Sequence, residues 1–259
     1  MEIYDGRMLL IYLAVKYDGD FDKICTAITL KDYPPFEEVI KVNKSLKCKT
    51  LTMMDYDYPL KLKELKYAPF VLFYYGDITL LSKDILAVVG ARNVNDYGKY
   101  CAEKVISECI QGRVVISGLA RGVDTIAHEA AIKYGGRTIA VLGGGFDHLY
   151  PPENKELFET IKKEHLVISE YPPHVECAPY RFPMRNRLIT CLSDGIFIPQ
   201  VNNYMNGTMI SVAMSLDQGK EIFVAPDRID SETINNQIID EGATFTIDGD
   251  TIKTFLKWR

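Results

Sequence analysis

The feature that most constrains this chain is an alternation that begins at Ile85, where short apolar runs ending near glycine, serine or proline are followed by stretches with helical spacing. Near-continuous runs of β-branched and other apolar residues are typical of strands buried on both faces of a sheet. Intervening helices indicate parallel pairing with right-handed crossovers. The sequence therefore predicts an α/β, Rossmann-like, doubly wound and mostly parallel sheet. The predicted strands are 85–90, 114–118, 138–143, 166–169, 195–199 and 221–226.

The residues before this alternation have a different pattern. Apolar residues recur at helical spacing from Leu9 onward, Pro34-Pro35 interrupts them, and helical spacing then resumes. We therefore expect a small helical N-terminal domain with a linker over residues 1–80 and a Rossmann-like domain over residues 81–259. With 47% hydrophobic and 25% charged residues, a chain of 259 residues can bury a core of this kind.

Charge and cysteine content narrow the classes of function. The 30 basic and 35 acidic side chains give a net charge of -5, so a polyanion would have to meet a local basic patch. Six cysteines occur without a CxxC pair or a histidine at zinc spacing, so we expect buried thiols and neither a metal site nor a disulfide framework. The N-terminus lacks a signal pattern, and no window approaches the roughly 20 apolar residues of a membrane helix. These observations predict a cytoplasmic protein with no membrane partner.

The first predicted strand ends in a loop that can bind an anion. Gly90 allows close approach of the backbone, Arg92 stands beside it, and a predicted helix begins just beyond. Ligands of parallel sheets lie beyond the carboxyl ends of the strands, which is where this loop lies. The same residues also fit a tight turn with a solvated arginine, and the loop alone favours neither interpretation.

The second predicted strand ends in Ser117-Gly118, and Arg121 stands at the entrance to the next helix. Asp124 and His128 follow one helical turn apart and can contact each other. Such a pair can act as a general base, but no serine or cysteine nucleophile is evidently paired with His128. We therefore expect Asp124 and His128 to form a hydrogen-bonded pair that braces the loop, and we expect the protein not to be an enzyme.

Two later segments also carry anion-binding signals. Gly144 lies in a run of three glycines whose backbone N–H groups can face an anion, which is a weak signal by itself. Arg185-Asn186-Arg187 lies in the first turns of a predicted helix, where the helix dipole is already positive. A bound anion would offset this repulsion, so the second segment is the stronger indication of a phosphate-bearing ligand.

Several stretches, in order along the chain, resemble the DNA-processing protein A family, which is also called DprA or Smf. The match extends from about residue 52 to residue 243 and is specific because the stretches keep their order. They are 52–60 (TMMDYDYPL), 89–92 (VGAR), 116–124 (ISGLARGVD), 136–142 (GRTIAVL), 150–154 (YPPEN), 169–173 (SEYPP) and 182–189 (FPMRNRLI).

The resemblance implies a Rossmann-type protein that binds and protects single-stranded DNA and forms homodimers. It also implies that the protein loads a RecA-type recombinase onto strands during DNA uptake (natural transformation) and recombination. It implies neither catalysis nor a cofactor. Because the chain ends at Arg259, it resembles a short form without the C-terminal winged-helix domain that many members carry. The residues that the resemblance places at the phosphate-binding pocket and groove are Gly90, Arg92, Ser117, Gly118, Arg121, Asn154, Arg185, Asn186 and Arg187.

The sequence departs from the family pattern near this pocket. Gln200 stands where the family usually has a glutamate, and Asn206-Gly207-Thr208 replaces a Ser-Gly-Ser segment. An alternative hypothesis is therefore a pocket that binds or sequesters a small nucleotide signal. A further alternative is a scaffold whose acidic segment, from Asp227 onward, contacts protein partners.

Overall fold

The computed structural model describes residues 5–205 and 207–258, and within that part nine strands form a single sheet. The sheet runs in the order β1-β2-β6-β5-β4-β3-β7-β8-β9, with strands numbered along the chain. Their bounds are β1 Lys49–Thr52, β2 Val71–Gly76, β3 Ile85–Val88, β4 Val114–Ser117, β5 Arg137–Leu142, β6 Leu166–Ser169, β7 Gly195–Ile198, β8 Glu221–Val224 and β9 Thr244–Phe245.

The pairing confirms the predicted fold class. β1 pairs with β2 and β2 with β6 in the antiparallel sense, whereas every pairing from β6 through β9 is parallel. The six strands predicted from the sequence are β3 to β8. β3, β4, β6 and β7 are buried along their whole length, which explains their unbroken apolar sequences.

Helices cover both faces of the sheet. They are α1 Gly6–Lys16, α2 Phe21–Leu30, α3 Phe36–Ser45, α4 Leu60–Lys63, α5 Asp96–Cys109, α6 Val123–Lys133, α7 Lys155–Glu164, α8 Arg181–Leu192, α9 Gly207–Asp217, α10 Asn235–Asp240 and α11 Gly249–Phe255. Ile85 and Ala87 of β3 pack on one face against α8, α9 and α10, and Leu86 and Val88 pack on the other face against α5, α6 and α11. No helix within residues 5–205 and 207–258 combines the length and the apolar character needed to cross a bilayer.

Residues 1–80, expected to be a small helical domain and a linker, also contain two strands. β1 and β2 extend the sheet beyond β6, and Phe73 of β2 is fully buried against the N-terminal helices and α7. β1 lacks the unbroken apolar run of the predicted strands, because Lys49 is exposed and only the last two of its four residues are buried. The N-terminal helices themselves agree with the sequence pattern, and α3 begins after Pro35. The domain boundary at residue 80 stays a prediction.

The strand order places a crevice at one edge of the sheet. From β3 the chain moves through β4 and β5 to β6 on one side, and later returns to add β7, β8 and β9 on the other side. The loops that follow β3 and β7 therefore diverge beyond neighbouring strands. Such a reversal of strand order is where open α/β sheets bind their ligands.

A buried asparagine joins the ends of β7 and β8. Asn235, which begins α10, is 1% exposed. Its Nδ2 donates to the carbonyl oxygens of Pro199 (3.0 Å) and Ala225 (2.8 Å), and its Oδ1 accepts from the N–H of Val201 (2.8 Å). These hydrogen bonds satisfy backbone groups that lie beyond the ends of the strands.

We expect Asn235→Ala to lower the free energy of unfolding by about 2–4 kcal/mol, because buried backbone groups lose their partner. Urea titration followed by circular dichroism measures this change. Gln237→Ala, on the exposed side of the same helix, is the matched control and should change the free energy by less than about 0.5 kcal/mol. Equal losses in both variants would contradict the role assigned to Asn235.

Candidate functional site

A cleft of about 800 Å³ lies beyond the carboxyl ends of β3 and β7. The loop after β3 forms one wall, the start of α8 forms another, and the segment from Asn202 into α9 forms a third. Gly90 is required at the first wall, since a Cβ there would lie 2.7 Å from the carbonyl oxygen of Gln200. The cleft therefore occupies the place that the strand order predicts for a ligand.

Arg185 projects from α8 to the base of the cleft and is only 6% exposed. Its Nη1 donates to the carbonyl oxygen of Val141 at 2.5 Å. The guanidinium packs directly on Gly118, where a Cβ would overlap it. The side chain is thus fixed by the ends of β4 and β5, and its charge faces the cleft from below.

Asp124 is the buried carboxylate whose negative charge acts on the guanidinium of Arg185. It is 7% exposed, and its Oδ2 accepts hydrogen bonds from the N–H groups of Gly118 (3.1 Å) and Ala120 (3.3 Å). Burial raises the pKa of Asp124, and the positive charge of Arg185 together with these N–H groups opposes the rise. Burial likewise lowers the pKa of Arg185, and Asp124 opposes that change. The two buried charges therefore stabilise each other.

Arg92 and Arg121 stand at the mouth of the cleft. Together with Arg185 they surround a small side depression whose remaining wall includes Tyr150 and Phe182. The guanidinium of Arg92 lies 6.0 Å from the centre of the Phe182 ring, which lies 5.8 Å from the ring of Tyr150. Arg121 is exposed and donates from Nε to Glu153. Three of the predicted arginines are thus brought together beside two aromatic rings.

An amide network forms the opposite wall. Gln200 is 5% exposed, its Oε1 accepts from the N–H of Asn95, and its Nε2 donates to Oδ1 of Asn202 and the carbonyl oxygen of Asn93. A glutamate could not make the two donated bonds. The amide of Gln200, which stands where the family usually has a glutamate, therefore holds the loop after β3 to the segment after β7. Asn206, the other departure, lies outside the described residues.

Asn186 lines the cleft, but four other predicted site residues form hydrogen bonds or ion pairs that hold the fold together. Arg187 is buried and pairs with Glu170 (2.5 Å) while donating to the carbonyl oxygen of Tyr67. Asn154 donates to the carbonyl oxygen of Leu119 and to Thr125, Ser117 donates to Val88, and Gly144 accepts from Ser169. Arg187, Asn154, Ser117 and Gly144 are therefore not among the residues that line the cleft.

Asp124 and His128 do not form the expected mutual hydrogen bond. His128 is fully buried and its Nδ1 lies 2.6 Å from Thr138 Oγ1, whereas Asp124 is held by backbone N–H groups. Burial, aided by the charge of Arg185, lowers the pKa of His128 to about 3. Each residue braces its own part of the fold.

Sequence reasoning missed Phe182 and Asn202 as lining residues. Phe182 begins the motif 182–189, three residues before Arg185, and its aromatic side chain close to arginines in the sequence is the signal that could have identified it. Asn202 follows β7 in a segment without charged residues up to Leu216, a pattern that by itself favours a buried helix.

The comparisons with known proteins agree with this geometry. The family model for DNA recombination-mediator protein A matches residues 49–257. The chain belongs to this family. A DNA processing protein DprA of Bacillus subtilis is 40% identical over 196 residues, which are 75% of this chain and 66% of that protein. The DNA processing protein DprA of Streptococcus pneumoniae is 35% identical over 228 residues, which are 87% of this chain and 80% of that protein.

Solved structures of DNA recombination-mediator protein A relatives have the same fold. The X-ray structure of DprA from Streptococcus pneumoniae gives a TM-score of 0.79 at 32% identity, covering 95% of this chain and 92% of that chain. A Helicobacter pylori DprA structure, described for its single-stranded DNA binding mode, gives 0.71 at 30% identity and covers 82% and 97%. The resemblance found in the sequence is confirmed.

We expect the buried imidazole of His128 to make the free energy of unfolding depend on pH. Below pH 6.5 the unfolded chain protonates His128 while the folded chain does not, so the free energy of unfolding falls as pH drops from 6.5 towards 3. We expect His128 to contribute a slope of up to about 1.4 kcal/mol per pH unit.

Urea titrations at several pH values measure this slope. His128→Gln should have a shallower slope than the parent protein, and the exposed His148→Gln should keep the parent slope. An unchanged slope in His128→Gln would show that His128 is not the group responsible.

Proposed function

We propose that this protein binds single-stranded DNA with the sugar-phosphate backbone in the cleft between β3 and β7. The observation that carries the proposal is the convergence of Arg92, Arg121 and Arg185 on one depression in a chain whose net charge is -5. Localised guanidinium groups can bind phosphates that the whole-protein field would repel. The proposed strand-contacting residues are Gly90, Arg92, Gly118, Arg121, Arg185 and Asn186.

The aromatic rings support a strand rather than an isolated phosphate. Tyr150 is 44% exposed and stands with Phe182 beside the arginines. Bases of a single strand stack on such rings without regard to sequence, while guanidinium groups hold the backbone. The Helicobacter pylori relative, whose structure is described for its single-stranded DNA binding mode, adds support from within the family.

We further propose that the bound strand is passed to a RecA-type recombinase, and that the protein acts in the cytoplasm as a homodimer during natural transformation. Support for the recombinase comes from the family, whose description is recombination mediation. The homodimer and the role in DNA uptake rest on the resemblance alone. Binding of the strand does not depend on either.

We expect Arg92→Ala to weaken binding of a fluorescein-labelled oligothymidine roughly 10-fold, as measured by fluorescence anisotropy at low salt. The plot of log affinity against log salt should become less steep by about 0.7, because one fewer phosphate is neutralised. Arg92 is the preferred position because its side chain is exposed, so its loss should leave the fold intact.

Arg137→Ala is the matched control, since Arg137 begins β5 at the opposite edge of the sheet. It should change neither the affinity nor the slope. An affinity that changes neither with salt concentration nor in Arg92→Ala would overturn the proposal. Tighter binding of mononucleotides than of the oligomer, measured by calorimetry, would favour a pocket for a small nucleotide instead.

A further inference from the structure

Glu153 places a negative charge at the rim of the proposed strand-binding cleft. It lies in the short 3₁₀ turn Pro152–Asn154 that precedes α7, and its carboxylate accepts a hydrogen bond from Arg121 Nε. The side chains of Arg121 and Glu153 are 54% and 48% exposed, so both can be reached by a ligand. The contact lowers the pKa of Glu153 and raises that of Arg121, as expected for a charge-assisted hydrogen bond.

The two acidic groups near the arginines differ in how easily they can move. Asp124 is buried and anchored by two backbone N–H groups, so removing its carboxylate would disturb the loop after β4. Glu153 is exposed, and its carboxylate is held only by Arg121 and by its own backbone N–H among the contacts found in the described residues. A ligand can therefore displace Glu153 without disturbing the framework.

The carboxylate of Glu153 offsets a large part of the positive charge around the side depression. Arg92, Arg121 and Arg185 surround the side depression, and the carboxylates of Asp124 and Glu153 oppose them. The group as a whole retains a single net positive charge. Removing the charge of Glu153 would double that value at the point where a phosphate enters.

We infer that Glu153 is an internal competitor for the strand: its carboxylate occupies Arg121 in the free protein, and a phosphate of the strand must displace it to bind Arg121. This inference rests on the proposed function. After displacement, Glu153 remains a negative charge beside the phosphate, so Arg121 and Glu153 together neutralise little of the strand. Glu153 thereby limits the affinity and keeps the strand exchangeable.

The test compares Glu153→Gln with Glu156→Gln, an equal change of charge at an exposed position one residue into α7. At low salt, Glu153→Gln should bind labelled oligothymidine about two- to five-fold more tightly than Glu156→Gln, the range expected for loss of an exposed ion pair. Its plot of log affinity against log salt should be steeper by up to about 0.7, because one more phosphate is neutralised.

A second comparison isolates the contact itself. In an Arg121→Ala background, Glu153→Gln should add no more affinity than Glu156→Gln adds, since the competed group is gone. A gain that persists in this background would assign the effect to the general field and overturn the inference. Weaker binding by Glu153→Gln would also overturn it, because Glu153 would then position Arg121 rather than compete for it.

The outcomes separate this inference from the function on which it rests. If the parent protein binds the strand and Arg92→Ala weakens that binding, while Glu153→Gln and Glu156→Gln behave alike, only the competitor role fails. If no variant binds the strand with a salt dependence, both the proposed function and the competitor role fail.

Discussion

Arg185 carries a positive charge into a position that is 6% exposed, and the loops around it are arranged to accept that charge. Burying an ion costs several kcal/mol unless an opposite charge and hydrogen bonds offset the loss of water. Here Asp124 supplies the charge, Val141 supplies a carbonyl oxygen, and Gly118 leaves room for the guanidinium. The ends of β4 and β5 and the start of α8 are thereby held together, and the base of the cleft follows from this interaction.

The topology of the sheet decides what surrounds Arg185. Because the strand order reverses between β3 and β7, the loop with Arg92 and the segment with Asn202 open on opposite sides of one crevice. Positive charge is concentrated on the first side, and Gln200 fixes an uncharged amide wall on the second. A protein with a net negative charge can therefore present a locally positive surface without being basic as a whole.

The arginines show that residue type alone does not predict the role of a side chain. Arg185 and Arg187 are two positions apart on α8, yet one faces the cleft and the other is paired with Glu170 inside the protein. Each helix position turns the side-chain direction by about 100°. Two residues that are two positions apart therefore point to nearly opposite sides of the helix and meet different environments. Arg92 and Arg121 both stay exposed, but only Arg121 has an acidic partner among the described contacts.

The sequence alone determined the six parallel strands, the edge of the sheet at which the cleft lies, and the family, because buried strands need continuous apolar runs and the motifs keep their order. It also indicated the arginine-rich start of α8. Only the tertiary structure decided that β1 and β2 join the sheet, that Ser117, Gly144, Asn154 and Arg187 support the cleft from outside, and that His128 bonds Thr138 rather than Asp124. These outcomes depend on which distant groups meet each side chain, and that information lies in the packing of elements far apart in the chain.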